Sequence, residues 1–227
     1  ALKITDELLS AAPQDNAGLS LRVIVEYQIG NFDEGRERID RLLNQQFGLA
    51  GVSAAICIAM AARISGQAEL LEHLVTYLNP TVRTVYNAPL AISLVELALS
   101  FVAIQNGDAG SASNHYSILR PHGNSMYSSE GVINADRILA LLARTMGNLS
   151  DAQSHFEDAL TFCRNAGYRP ELAWSLHDYA DMLLERDNAG DPEKATAMLE
   201  EALQISTDLG MRPLMERVLS KRDILKA

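Results

Sequence analysis

The chain has 227 residues, of which 48% are hydrophobic, and a formal net charge of -10 from 29 acidic and 19 basic residues. This apolar content is enough for a continuous core and argues against a disordered chain. The acidic balance argues against a surface built to neutralise phosphates, so we expect no direct binding of nucleic acid.

The first residues do not have the apolar stretch of a signal peptide, because Lys3, Asp6 and Glu7 interrupt them. Charged and polar residues also interrupt every longer apolar run, so we expect no membrane association and a cytoplasmic location. The chain does not start with Met. We therefore expect that it starts inside a longer gene product.

Five glycine-initiated segments repeat along the chain after a leading half-hairpin at 1–12. Their glycines stand between 36 and 43 residues apart. They are Gly30, Gly66, Gly107, Gly147 and Gly190. Within each segment a small residue, a larger apolar residue and a third apolar residue follow at steps of four and three, as in Ala152, Phe156 and Ala159. Such steps place side chains on one face of a helix.

An apolar stretch with helical periodicity precedes each glycine. These stretches are 19–29, 52–64, 89–104, 132–146 and 171–184. Each glycine would provide the tight turn between two antiparallel helices. The pattern predicts about five helix hairpins, which must stack because one hairpin alone cannot bury its apolar face.

The last stretch, 213–226, is predicted to be a capping helix. Its inward residues would be Leu214, Val218 and Leu225, and Arg217 and Lys221, with Arg222, would form a polar outer face. We therefore expect one repeat domain over 1–227.

The order of small, glycine, small and aromatic residues in ALLARTMGNLSDAQSHFEDAL resembles the tetratricopeptide repeat. The spacing of about 40 residues is similar to the longer repeats of large multidomain bacterial transcriptional regulators and signalling ATPases, as is the later segment AGYRPELAWSLHDYADMLLER. The resemblance implies an all-α, right-handed superhelical array of hairpins. It also implies a scaffold that binds partners and is not an enzyme.

Catalytic motifs are missing from the sequence. It contains no GxxxxGK[ST] phosphate loop, no GxSxG elbow and no HExxH helix. Cys57 and Cys163 lie far apart and are interpreted as buried apolar residues. His115 and His155 occupy equivalent repeat positions without an evident second ligand. We therefore predict no catalytic residue, no cofactor and no metal.

In arrays of the family that the chain resembles, the first helix of each hairpin lines a concave groove. Mapping its positions onto this sequence gives a set of groove residues. The main candidates are Tyr27, Arg63, Phe101, Asn134, Arg137, Arg144, Trp174, His177 and Asp181, with Ile24, Met60, Leu97, Ile104, Leu141 and Glu185 beside them.

Arg137 and Arg144 are two helical turns apart, and Trp174, His177 and Asp181 follow one another at steps of three and four. Cations and an aromatic ring on adjacent helices favour a site for a peptide or an acidic ligand. In the alternative interpretation, Trp174 packs between repeats and the arginines pair with neighbouring acids such as Asp136 or Asp181.

The function predicted from sequence is a non-catalytic module that binds a protein or peptide segment, or a small effector. It would be the sensor or scaffold arm of a cytoplasmic bacterial signalling or transcriptional regulator. A structural module that forms homo-oligomers is the alternative. A hydrolase is a remote alternative that would require His177, Asp181 and Glu185 to surround a metal.

Overall fold

The structure is a computed structural model that describes residues 1–13, 15–44, 49–85, 89–127 and 133–226. Helices form nearly all the secondary structure of these residues, and they follow one another as an all-α repeat array. The contacts group the chain into two compact units, with the boundary between Asn106 and Gly107. Each unit is described by itself below.

The first unit contains six helices. They are α1 (Leu2–Ala11), α2 (Asn16–Ile29), α3 (Phe32–Leu43), α4 (Leu49–Ser65), α5 (Glu69–Val85) and α6 (Pro89–Asn106). Helices α2 and α3 form one hairpin and α4 and α5 the next, while α4 also packs against α2 and α6.

The described residues of the second unit contain six further helices and one short ladder. They are α7 (Ala109–Leu119), β1 (Met126–Tyr127), β2 (Ile133–Asn134), α8 (Ala135–Thr145), α9 (Leu149–Ala166), α10 (Arg169–Arg186), α11 (Asp191–Leu209) and α12 (Arg212–Lys226). The pairs α8 with α9 and α10 with α11 form hairpins, and α12 packs on α11.

All five predicted turn glycines have positive φ angles, between 63° and 87°. At Gly147 the amide donates to the carbonyl of Arg144 at 2.9 Å, and the next amide, of Asn148, donates to the carbonyl of Ala143 at 2.9 Å. This arrangement ends α8 and requires the left-handed backbone that glycine adopts at low cost. Gly30, Gly66, Gly147 and Gly190 each lie between two helices that pack against each other, whereas Gly107 lies at the boundary of the two units. Gly167 and Gly210 end α9 and α11 in the same conformation.

Small residues allow close packing of the helices in the first unit. A Cβ atom built at Gly35 would lie 2.5 Å from the ring of Tyr27, so that ring occupies the space of a side chain. The ring of Phe32 packs beside it, with centroids 5.3 Å apart. Inside α4, a run of alanine and isoleucine residues from Ala54 to Ala62 is buried.

In the second unit the predicted repeat residues form the core. Ala152, Phe156, Ala195 and Leu199 are fully buried. The ring of Phe156 stacks on that of Tyr179 with centroids 5.1 Å apart, which joins α9 to α10. Since these side chains are consecutive steps of the predicted pattern, the pattern identifies the core of this unit correctly.

The repeat pattern applied to the segment from Gly66 predicts an inward side chain at Val75, nine residues after the glycine, and this prediction is wrong. Val75 is 39% exposed, and Leu74 takes the inward position in α5. The reason is that Leu70, Leu74 and Leu78, at steps of four, form the continuous buried stripe of this helix.

The capping helix is present as α12, with Leu214 and Val218 buried as predicted. The side chain of Leu225 lies outside the described residues. Arg217 and Lys221 do not belong to an outer face: the guanidinium of Arg217 lies 5.4 Å from the centroid of Trp174, and Lys221 pairs with Asp181 at 2.8 Å. Both side chains therefore attach α12 to α10.

The connection between α7 and α8 was not predicted. It contains a 3₁₀ turn at Arg120–His122, followed by the antiparallel pairing of β1 with β2. The amide of Asn124 donates to the Asp136 carboxylate at 2.6 Å, and the amide of Ala135 donates to the carbonyl of Ser125 at 3.0 Å. These bonds fix the described part of the connection to the start of α8.

Both cysteines are buried, as predicted. Burial raises the pKa of the Cys163 thiol on α9 to about 12. No helix in the described ranges combines the length and the apolar character that a membrane crossing requires.

Candidate functional site

The start of α8 is held by Asn134, one of the predicted groove residues. Its side-chain oxygen accepts a hydrogen bond from the amide of Arg137 at 3.1 Å, which caps the helix. The backbone amide of Asn134 donates to Glu171 Oε1 on α10 at 3.0 Å. Asn134 is fully buried, so its polar groups serve the packing of α8 against α10.

Arg137 lies on the first turn of α8 and is only 3% exposed. Its Nε donates to Asp178 Oδ2 at 2.8 Å and its Nη1 to Glu171 Oε2 at 3.0 Å. Burial opposes the charge of the guanidinium, but these two carboxylates outweigh burial and raise the pKa of Arg137. The predicted cation is thus present but is satisfied within the protein.

Trp174 and His177 complete a buried polar cluster with Arg137, Glu171 and Asp178. The Trp174 ring is 1% exposed, lies 5.7 Å from the Arg137 guanidinium carbon and meets the His177 ring edge-on. His177 Nδ1 lies 3.3 Å from Asp178 Oδ1, and its Nε2 has no hydrogen-bond partner among the described residues. The cluster joins α8 to α10 in the interior of the second unit.

Two ion pairs among the predicted residues remain accessible, and we call these four residues the first-helix rim. Arg144 Nε donates to Glu185 Oε2 at 2.6 Å, with side chains 26% and 55% exposed. Asp181 on α10 pairs with Lys221 on α12 at 2.8 Å, with side chains 16% and 34% exposed. The rim therefore presents one cation on α8 and one on the capping helix α12, each beside an acid on α10.

In the first unit, the predicted groove residues belong mostly to the core. Tyr27 and Phe101 are buried, as are Ile24, Met60 and Leu97, while Arg63 and Ile104 are half-buried. Burial raises the pKa of Tyr27 to about 12, and its hydroxyl has no hydrogen-bond partner among the described residues. These side chains form the interior against which neighbouring hairpins pack.

The sequence predicts an accessible peptide site, and this accessibility is wrong for four of the predicted residues. Asn134, Arg137, Trp174 and His177 are core residues, because none of them is more than 3% exposed. Arg144 and Asp181 keep accessible surface. Whether that surface binds a partner stays a prediction.

The alternative pairing of the arginines occurs with other acids than those proposed. Arg137 pairs with Glu171 and Asp178, and Arg144 pairs with Glu185. Asp178 and Glu185, which pair with Arg137 and Arg144 respectively, are seven residues apart like the two arginines, and this spacing was the available signal for an α8 to α10 match. His177, Asp181 and Glu185 have separate partners, so they do not converge as the hydrolase alternative requires.

A second chain of polar groups joins α7, α8 and α9. Tyr116 Oη lies 2.9 Å from His155 Nε2, and His155 Nδ1 lies 3.0 Å from Asp136 Oδ1. Asp136 is buried and His155 mostly so. Sequence reasoning named His155 for its repeat position alone, and it missed Asp158, which follows three residues later on the same helical face.

Comparison with known proteins gives one finding. Residues 131–208 match the family model of the tetratricopeptide repeat. No curated protein and no solved structure matches the chain. The matched range contains α8 to α11, the two hairpins that hold the buried polar cluster. The chain thus carries a tetratricopeptide-like repeat region within an all-α array of helix hairpins.

Proposed function

We propose that this chain is a non-catalytic interaction module that binds a protein or peptide segment through the first-helix rim of its second unit. The match of residues 131–208 to the tetratricopeptide repeat carries this proposal, because such repeats generally mediate contacts between proteins. The sensor or scaffold arm of a cytoplasmic bacterial regulator is the cellular role that we favour, on the strength of the sequence resemblance.

The rim suits an acidic segment because Arg144 is held only by a surface pair and Lys221 keeps accessible surface. An exposed ion pair contributes about 0 to 1 kcal/mol, so a carboxylate of a partner can replace Glu185 at Arg144 at little cost. Lys221 can bind a second carboxylate beside Asp181, because an ammonium group has three donors. The buried cluster beneath has a different part in the proposal. By fixing α8 on α10, it holds the spacing of these cations before the partner arrives.

The experiment selects peptides from a library that covers the proteome of the source organism, using the 227-residue chain as bait. Affinities are then measured by calorimetry for the wild type and for R144A/K221A. We expect the double variant to weaken binding at least tenfold, because it removes both rim cations.

The matched control is R164A/R169A. It also removes two exposed arginines, whose carboxylate partners Glu201 and Asp208 lie on α11. Equal loss of binding in both double variants would indicate a general charge effect and contradict the rim. A concentration-dependent dimer in sedimentation, dispersed by R144A/K221A alone, would instead favour the self-association module.

A further inference from the structure

We propose that Asp136, His155 and Asp158 form a binding site for one divalent transition-metal ion of the zinc class. The ligand atoms of these three residues lie within 4.8 Å of one another. They come from two helices of the same hairpin, α8 and α9. This site is separate from the first-helix rim.

The spacing of the two better-buried groups fits a shared metal. His155 Nδ1 and Asp136 Oδ1 are 3.0 Å apart. In a tetrahedral site, metal bonds of about 2.0 to 2.2 Å from nitrogen and oxygen place adjacent ligand atoms roughly 3.3 to 3.5 Å from each other. A small outward shift therefore brings the two atoms to the separation of neighbouring ligands.

Each of these two groups also has the outer partner that metal ligands usually have. The hydroxyl oxygen of Tyr116 lies 2.9 Å from His155 Nε2, where it can accept a hydrogen bond from the Nε2–H group when Nδ1 binds metal. The amide of Asn124 donates to Asp136 Oδ2 at 2.6 Å, which orients the carboxylate and leaves Oδ1 directed at the imidazole. A small rotation of the carboxylate, which turns Oδ1 off the line of the Nδ1 lone pair, would let a metal ion enter between the two atoms.

Asp158 provides the adjustable third ligand. It stands three residues after His155 on α9, on the same helical face, and its side chain is exposed. Rotation of that side chain closes the remaining distance, and water fills the other coordination positions. The expectation of no metal rested on the lack of a second ligand near His155, and Asp158 at a spacing of three is such a ligand.

The donor set indicates the class of ion. One imidazole with two carboxylates suits zinc and its neighbours, whereas calcium and magnesium prefer oxygen ligands alone. Binding replaces the hydrogen bond between His155 and Asp136 by two metal bonds, and any proton on Nδ1 leaves to Nε2 or to solvent. The ion would join α8 to α9 and, through Asn124, hold the connection that precedes α8.

The test is a Zn²⁺ titration of the tag-free 227-residue chain against a chromophoric chelator, followed by calorimetry. We expect one Zn²⁺ per chain, with affinity reduced at least tenfold in D158N and lost in H155A. D158N is the decisive variant because it changes an exposed side chain, and its helical content and melting temperature without metal should equal those of the wild type.

H115A is the matched control, because His115 occupies the equivalent position one repeat earlier on α7. It should keep the wild-type affinity for Zn²⁺. Affinity unchanged in D158N, or reduced equally in H115A, would overturn the site. Ca²⁺ binding as tight as Zn²⁺ binding would overturn the assigned class of ion.

Discussion

The first helices α4 and α10 occupy equivalent places in their hairpins, but their interiors differ in chemistry. In α4 the buried residues from Ala54 to Ala62 are almost all small or aliphatic. In α10 the buried face carries Glu171, His177 and Asp178 around Trp174. Apolar surfaces attract without direction, whereas the directional bonds of Arg137 to Glu171 and Asp178 favour one alignment of α8 on α10. The second unit therefore gains specificity from groups that cost desolvation energy.

The largest expected effect in that comparison is at Arg137. The variant R137M leaves Glu171 and Asp178 buried without their cation and should lower the free energy of unfolding by about 3 to 5 kcal/mol. Urea unfolding followed by the fluorescence of Trp174, the single tryptophan, measures this within the second unit.

Two further variants test whether the cost of R137M comes from the burial of its charged partners. R144A removes an arginine from the same helix, but from a surface pair, and should cost no more than about 1 kcal/mol. The triple variant R137M/E171Q/D178L removes all three charges, keeps an acceptor for the backbone amide of Asn134 at position 171, and should recover most of the loss. Equal costs for R137M and R144A would contradict the special role of the polar interior.

A smaller effect tests the apolar packing of the first unit. In G35A the added methyl group meets the Tyr27 ring at 2.5 Å, so we expect a cost of about 1 to 3 kcal/mol from overpacking. G110A is the control on α7, where the nearest side-chain atom is Asp108 Oδ1 at 3.4 Å. That change should instead stabilise by up to about 1 kcal/mol. Thermal melts followed by circular dichroism measure both.

The smallest expected effect is the difference in stability between variants of two buried tyrosines. Y27F should be nearly neutral, because the Tyr27 hydroxyl has no partner among the described residues. Y179F should cost about 0.5 to 1.5 kcal/mol, because the Tyr179 hydroxyl donates to Glu157 at 2.9 Å and accepts from Lys194 at 2.8 Å. Urea midpoints of the two variants at pH 8 measure the difference.

The same tyrosine predicts a dependence on pH. Since the pKa of Tyr27 is raised to about 12 in the folded chain, the neutral phenol stabilises the fold below its ordinary pKa of 10.0, and that contribution is lost as the pH rises through 12. Y27F should therefore become more stable than the wild type between pH 8 and pH 11. A constant difference over this range would contradict the raised pKa.

Sequence periodicity was sufficient for the hairpins, because glycine turns and steps of four and three are local features. It did not predict the connection before α8, since the bonds of Asn124 to Asp136 and of Asn134 to Glu171 join residues distant in sequence. It also placed Arg137 and Trp174 on an open surface. The position of a residue on a helix gives the direction in which its side chain points. Whether another element covers that side chain depends on packing, as when Arg217 lies over the Trp174 ring on α10.

Because both cysteines are buried, the rate at which each thiol is alkylated measures how often the helices around it separate. Cys57 lies in the first unit and Cys163 in the second, and the pKa of about 12 at Cys163 leaves almost no thiolate at neutral pH. Alkylation of Cys163 must then wait until α9 separates from its neighbours. Mass spectrometry of the two alkylated peptides would time the opening of each unit separately in the unmodified chain.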